Sequence, residues 1–192
     1  MKLTDYIKDC LKNDNFKITW DIENPEYPSN LFEKLYLKSI KELSLQEALT
    51  LLEDIDDSKL QSVIDNKGIK FDNIDEAIKT EIIFYENNNN CPVATFLDSI
   101  SDNKLKSKTL KNIFQLAILG NASKPPLSKY VDDGIFELRT KQGSNIDRIF
   151  YFFIFGNKII MTNGYIKKSQ KLDDQEFNRA KKYRDDYMKQ FR

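Results

Sequence analysis

Residues 134–171, GIFELRTKQGSNIDRIFYFFIFGNKIIMTNGYIKKSQK, constrain the fold of this 192-residue chain more than any other stretch. They read as three β-strands, over Ile135–Arg139, Arg148–Phe155 and Lys158–Thr162. Gly156-Asn157 between the last two is a hairpin signal, because both residue types tolerate a left-handed backbone. The polar residues of the stretch are mostly cationic or amide. Arg139 ends the first strand, Arg148 begins the second, and Lys167, Lys168, Gln170 and Lys171 follow the third. An apolar sheet with cations gathered near its strand ends suits a polyanion.

The flanking patterns extend this into an α+β domain. Glu81–Tyr85 reads as a strand, followed by an Asn-rich turn and a helix around Val93 to Ile100 that begins after Pro92. A longer helix is expected over 103–119, capped by Ser101 or Asp102 and ended by Gly120, with Leu105, Leu110, Ile113, Phe114 and Leu116 inward. A loop through Pro125 and Pro126 leads to the three strands. An amphipathic helix runs from about Asp173 to Lys189, with Asp173 and Asp174 suited to its N-terminus. Strand, helix, helix, three strands and helix predict a small antiparallel sheet with the helices on one face.

The formal net charge is zero, yet the charge is not evenly spread. Residues 1–78 hold 10 lysines against 17 acidic residues, a net −7, whereas residues 79–192 hold 20 basic against 13 acidic residues, a net +7. The first arginine is Arg139. The split divides the chain into an acidic module, 1–78, and a basic one, 79–192, with a boundary near Ile74 to Lys79.

The acidic module reads as all-helical. Leu3, Tyr6, Ile7, Cys10 and Leu11 share one face of a helix over 3–13. Trp20 to Asn30, with Pro25 and Pro28, reads as a connection. Further helices are expected after Ser29 and from two capping boxes, Ser44-Leu45-Gln46-Glu47 and Ser58-Lys59-Leu60-Gln61. The pair near 44–66 resembles a helix-turn-helix. Asp54, Asp56 and Asp57 would repel a DNA backbone, so a protein-packing role fits this module better than DNA reading.

Composition removes several chemistries. The chain has no histidine, and its two cysteines, Cys10 and Cys91, have no metal-like spacing. No metal or cofactor is expected, and histidine-based acid–base catalysis is excluded. No apolar run is long enough to span a membrane, and MKLTDYIKDCLKND lacks the apolar core of a signal peptide. A reduced, cytoplasmic protein is expected, with both thiols structural.

The stretch from about Glu81 to Arg192 resembles the RelE/HigB-type toxins, small ribonucleases of bacterial and phage toxin–antitoxin systems. The matching residues are Glu137-Leu138-Arg139, Arg148-Ile149-Phe150-Tyr151-Phe152 and Gly164-Tyr165-Ile166-Lys167-Lys168-Ser169-Gln170-Lys171, with FLDSI and PLSKYVDDGIFELR in order before them. The Glu-Leu-Arg variant is similar to the phage-derived, HigB-like branch. Glu137 itself departs from strongly active ribosome-dependent members, which tend to carry basic residues on that strand, and Phe177 stands where many have a tyrosine.

The resemblance implies a RelE-like fold and cleavage of messenger RNA, in many members on the translating ribosome. A ribose 2′-OH would attack the adjacent phosphate, which requires a base, cations for the phosphorane charge and an acid for the leaving oxygen. Lysine is the available base, provided a cationic neighbourhood lowers its pKa from about 10.4. The candidate catalytic residues are Arg139 and Arg148 as phosphate clamps and Lys168 for proton transfer. Lys141, Lys167, Gln170, Lys171 and Lys182 are candidate RNA contacts. Each has a plainer alternative: Arg139 pairing with Asp132 or Asp147 to fix the sheet, the lysines as a solvated loop, and the last helix's Arg179, Lys181, Lys182 and Arg184 as a solvated face.

The expected partners are mRNA with the ribosome, and either the chain's own acidic module or a separate antitoxin restraining the basic domain. DNA would be met only through an antitoxin, and no membrane is expected. The alternative is a non-catalytic RelE-like binding protein, or a DNA-binding regulator using the pair near 44–66.

Overall fold

The computed structural model describes residues 1–25, 29, 80–88, 90–120, 123, 125–155, 157–167 and 172–190. The chain divides into two compact units, one of Met1–Leu3 with Lys79–Arg192 and one of Thr4–Ile78. No helix among the described residues is long and apolar enough to cross a membrane.

α1 (Leu3–Cys10), which belongs to the smaller unit from Thr4 onward, buries Leu3, Tyr6 and Ile7, with Leu11 buried just beyond its end, as the periodicity requires. The helix stops at Cys10 because Asn13 caps a new one, α2 (Asp14–Glu23), accepting the Phe16 N–H at 3.0 Å. Phe16 and Trp20 of α2 are buried. Trp20–Glu23 are therefore helical and not part of a connection. Asn24 ends α2 by donating its backbone N–H and side-chain amide to Trp20 O. The helices expected after Ser29 and at 44–66 lie outside the described residues.

The larger unit contains β1 (Glu81–Phe84), α3 (Pro92–Ser99), α4 (Asn103–Leu119), β2 (Ser128–Asp132), β3 (Ile135–Gln142), β4 (Asn145–Ile154), β5 (Lys158–Ile166) and α5 (Asp174–Lys189). The order across the five-stranded sheet is β1-β5-β4-β3-β2. Together with the helices this is an α+β fold. β3, β4 and β5 are antiparallel neighbours as expected, and β2, expected as loop, adds a fourth; β1 instead lies parallel to β5, with Glu81 opposite Lys158 and Phe84 opposite Met161. The sheet is thus mixed. Met1–Leu3 covers part of the outer edge of β1: Lys2 bridges Ile83, and the Phe84 N–H donates to Met1 O at 2.8 Å.

Helices cover both faces of the sheet, not one. Side chains alternate between faces along a strand. Asp147 of β4 accepts a hydrogen bond from Thr109 of α4, and the Phe96 ring of α3 lies against Gly164 of β5. Phe150 of β4 and Tyr165 of β5, on the other face, pack with Ile135 against Phe177 and Ala180 of α5. Enclosure on both sides explains why β4 carries the near-continuous apolar run IFYFFI.

Local chemistry sets the boundaries. Asp102 caps α4 by accepting the Lys104 and Leu105 N–H groups, and Asp173 caps α5 by accepting that of Glu176. Asp133 and Gly134, both at positive φ, make the two-residue turn from β2 to β3. The far half of α5 is fastened by Tyr85, whose hydroxyl donates to Asp186 at 2.5 Å and whose ring stacks on Tyr183 at 4.8 Å.

Candidate functional site

On the sheet face that carries α5, two rows of cross-strand neighbours define the site. Lys129, Glu137, Phe150 and Asn163 stand in one row, and Arg139, Arg148 and Tyr165 in the next. The helix covers the apolar part of these rows. Asn163 pins its first turn by donating to Glu176 O at 3.1 Å and to Glu176 Oε2 at 2.9 Å. Asp174 begins the helix, and of the cations in these rows Arg148 is buried, Arg139 partly exposed and Lys129 exposed.

Arg139 and Arg148 are direct register partners, as their positions at the ends of adjacent strands suggest. Neither takes Asp132 or Asp147 as its carboxylate partner. Glu137, two residues before Arg139 and therefore on the same face, places Oε1 3.0 Å from Arg139 Nε and Oε2 3.5 Å from Arg148 Nε. Arg148 also donates from Nη1 to the Asp147 carbonyl at 2.7 Å. The Arg148 and Glu137 side chains are 8% and 6% exposed, whereas that of Arg139 is 33% exposed.

Burial and crowding shape the electrostatics. Burial is the largest influence on the Arg148 guanidinium and pulls its pKa down, with Arg139 adding to it and Glu137, Tyr165 and Asp147 opposing. Arginine starts high enough to stay charged. Lys167 continues the ladder beyond β5 by donating its N–H to Ile146 O at 2.8 Å. Burial lowers the pKa of its half-buried amine, helped by Arg148, Arg139 and Lys129 and opposed by Glu137. Arg139, Arg148, Lys167 and Lys129 therefore share one field around Glu137. The Tyr165 hydroxyl is pushed up to about 12, mainly by burial and by Glu137, although the Asp173 backbone and Arg148 pull the other way.

Buried polar atoms ordinarily find hydrogen-bond partners, so the exceptions are informative. Glu137 Oε2, Arg139 Nε, Arg148 Nε and Tyr165 Oη are all buried without a well-directed hydrogen bond; the Glu137 contacts have ion-pair distances but not bond geometry. Elsewhere among the described residues only Ser123 Oγ and Asp147 Oδ1 share this condition. The unsatisfied groups thus concentrate on one face, around the arginine pair.

The other expected contacts are placed unevenly. Lys141 is exposed near the β3–β4 turn, one row beyond the arginines and on their face. Lys182 is exposed two turns along α5 from its start and does not join the cluster. On the same helix Arg179 pairs with Glu176, Arg184 is tied to Asp133, and Lys181 lies over the Phe177 ring, so these three are engaged within the protein. Lys168, Gln170 and Lys171 lie outside the described residues. Glu137 is the member that sequence reasoning missed; its two-residue spacing from Arg139 was the available signal.

The aromatic run divides by face. Tyr151 is buried on the α4 side with its hydroxyl paired to Ser128, so its ring is not open to a base. Phe150 stacks on Tyr165 at 5.6 Å beneath the site.

No curated protein matches the chain. Residues 95–185, which run from α3 into α5 and include Arg139, Arg148 and Lys167, match the family model described as phage derived protein Gp49-like (DUF891), a family associated with RelE-like toxins.

Proposed function

We propose that residues 79–192 form an endoribonuclease of the RelE/HigB toxin type that cleaves mRNA in association with the ribosome. The observation that carries this reading is the concentration of buried, unsatisfied polar atoms around two opposed arginines. A phosphodiester offers anionic oxygens to the guanidinium and phenol donors gathered here. Arg139 and Arg148 would hold the scissile phosphate and stabilise the charge that develops on it.

In the reaction, a lysine amine takes the proton of the ribose 2′-OH, and the freed oxygen attacks phosphorus. The bond from phosphorus to the 5′-oxygen breaks, and a proton delivered to that oxygen leaves a 5′-OH and a 2′,3′-cyclic phosphate. Lys168 is the proposed proton carrier; it follows Lys167, whose own amine has its pKa lowered by burial and by cationic neighbours. Lys141, Gln170 and Lys171 would contact the flanking backbone. The test is expression of the full chain and of Arg148→Ala, with growth, mRNA integrity and the chemistry of the new 3′ ends followed. Cyclic phosphate ends that depend on Arg148 support the reading; intact mRNA under wild-type expression and after removal of residues 4–78 ends it.

The charge split motivates the second part of the proposal. The acidic residues 1–78 restrain the basic domain in the same chain, where tethering gives an effective concentration on the order of millimolar. Growth arrest that appears only when the acidic segment is removed supports this, and equal activity with and without it refutes it. A separate antitoxin remains the other partner of this kind.

One observation favours a non-catalytic alternative: the carboxylate of Glu137 already stands between the two arginines. In that case RNA is bound and never cut.

A further inference from the structure

We infer that Glu137 is the positioning residue of this site, holding the guanidiniums of Arg139 and Arg148 as a two-part phosphate clamp. The inference rests on reading the arginine pair as a phosphate site.

Like charges placed directly opposite each other on neighbouring strands repel. Burial of Arg148 makes matters worse, because a buried charge is poorly screened by solvent. Glu137 answers this with one carboxylate, an oxygen toward each Nε. Nε is the edge of the guanidinium nearest its own stem. An ion pair there limits the swing of each side chain and leaves both terminal nitrogens of Arg139 and Nη2 of Arg148 for a ligand.

The two arginines are held unequally. Arg148 is restrained at Glu137 and again at the Asp147 carbonyl, and is nearly buried; Arg139 is restrained at Glu137 and remains one-third exposed. Arg148 is therefore the fixed jaw of the clamp, and Arg139 the jaw that adjusts.

A carboxylate inside an anion site weakens ground-state attraction for phosphate. Its presence is intelligible when the geometry it imposes is worth more than the charge it subtracts. This separates positioning from general support of the fold, since removing the charge should strengthen binding while spoiling alignment.

The experiment compares the full chain with Glu137→Gln, which keeps the shape, and Glu137→Asp, which keeps the charge but is too short to span both arginines. Arginine Nε–H signals are recorded by NMR, assigned with Arg139→Lys and Arg148→Lys. A short single-stranded RNA is used for affinity and single-turnover cleavage. Two narrow, slowly exchanging signals are expected in the wild type, neither in the Gln variant and one in the Asp variant. The Gln variant should bind RNA about threefold to tenfold more tightly through the lost negative charge, yet cleave about 10²-fold more slowly, the usual scale for a misplacement near 1 Å.

Unchanged arginine signals in Glu137→Gln overturn the inference. So does loss of affinity and rate by the same factor, which is what a purely structural role produces. Failure of the underlying reading looks different: wild type and Arg148→Ala then bind RNA equally, while the arginine signals still report whether Glu137 holds the pair.

Discussion

Arg139 and Arg148 face each other directly across β3 and β4, two cations in register where a sheet ordinarily favours complementary neighbours. An isolated pair of this kind would be a defect. With Glu137 shared between them, the pair is a local concentration of positive charge with a fixed geometry, and a site becomes distinguishable from a merely basic surface.

Arg148→Ala should therefore lower RNA cleavage by about 10²-fold or more, the usual cost of losing one electrostatic partner of the transition state. Arg148→Lys should recover little of this, because an ammonium cannot reproduce two directed contacts on one plane. Lys168→Ala should slow cleavage and shift the alkaline limb of its pH profile. A double variant, Arg148→Ala with Lys168→Ala, that degrades mRNA at the wild-type rate would sink the site assignment.

Binding of RNA should weaken as salt rises, and each cation that meets a phosphate should contribute to the slope. Loss of Arg139 should reduce the slope of log affinity against log salt by about 0.7, the value for one contact with a single strand. Lys182→Ala should leave the slope unchanged if binding is confined to the cluster. Equal reductions for the two variants would move the RNA path onto α5.

Asp147, behind the site on the α4 face, supplies a stability prediction. Burial pushes its carboxyl up to about 6, against hydrogen bonds from Thr109 and Thr140 and the charge of Arg148. In the unfolded chain it titrates near 3.9. The folded state thus holds the extra proton between these values, and stability rises as pH falls from about 6 toward about 4; above about 6 the full penalty for the buried charge applies. Asp147→Asn should stabilise the protein at pH 7 by about 1–3 kcal/mol, with the gap closing near pH 4. Thermal unfolding at the two pH values checks this, and a variant destabilised at both refutes it.

Gly164 supplies a packing test. A Cβ at this position would fall 2.2 Å from Cδ1 of the Phe96 ring, so the ring or the strand must shift. Gly164→Ala should cost about 1–3 kcal/mol, the range for forcing extra volume into a packed core. Combining it with Phe96→Ala should cost less than the sum of the two changes, as expected for residues in direct contact. Additive losses in denaturant unfolding would count against the close approach.

Much of this architecture could be read from the sequence, for definite reasons. The bounds of α4 follow from a capping aspartate, a regular apolar face and a terminal glycine. Strand β4 declares itself by an apolar run too short and too rich in aromatic residues for a helix. By contrast β2 was hidden: Lys129, Tyr130 and Asp132 are exposed on an edge strand just after two prolines, so the segment reads as a loop. β5 runs four residues further than expected because Asn163-Gly164 mimics a turn signal, while its real function is to admit Phe96.

The candidate site was half legible. Arg139 and Arg148 announced themselves by charge in apolar strands. The place of Glu137 depends on strand register, which ties it to Arg148 eleven residues away, and charge patterning along the chain cannot supply that. The exposed helical cations looked as suitable as the strand cations until their internal partners were visible.

The parallel pairing of β1 with β5 also sets an order of events for folding. Strands β2 to β5 follow one another through short connections, so each can find its neighbour soon after it exists. β1 must wait for a partner 77 residues later, across α3, α4 and three other strands. Closing so long a loop carries an entropic cost before any contact repays it, which places the seam between β1 and β5 late in the folding reaction. The face bearing Arg139 and Arg148 belongs to the early meander, and so takes shape before the sheet is closed.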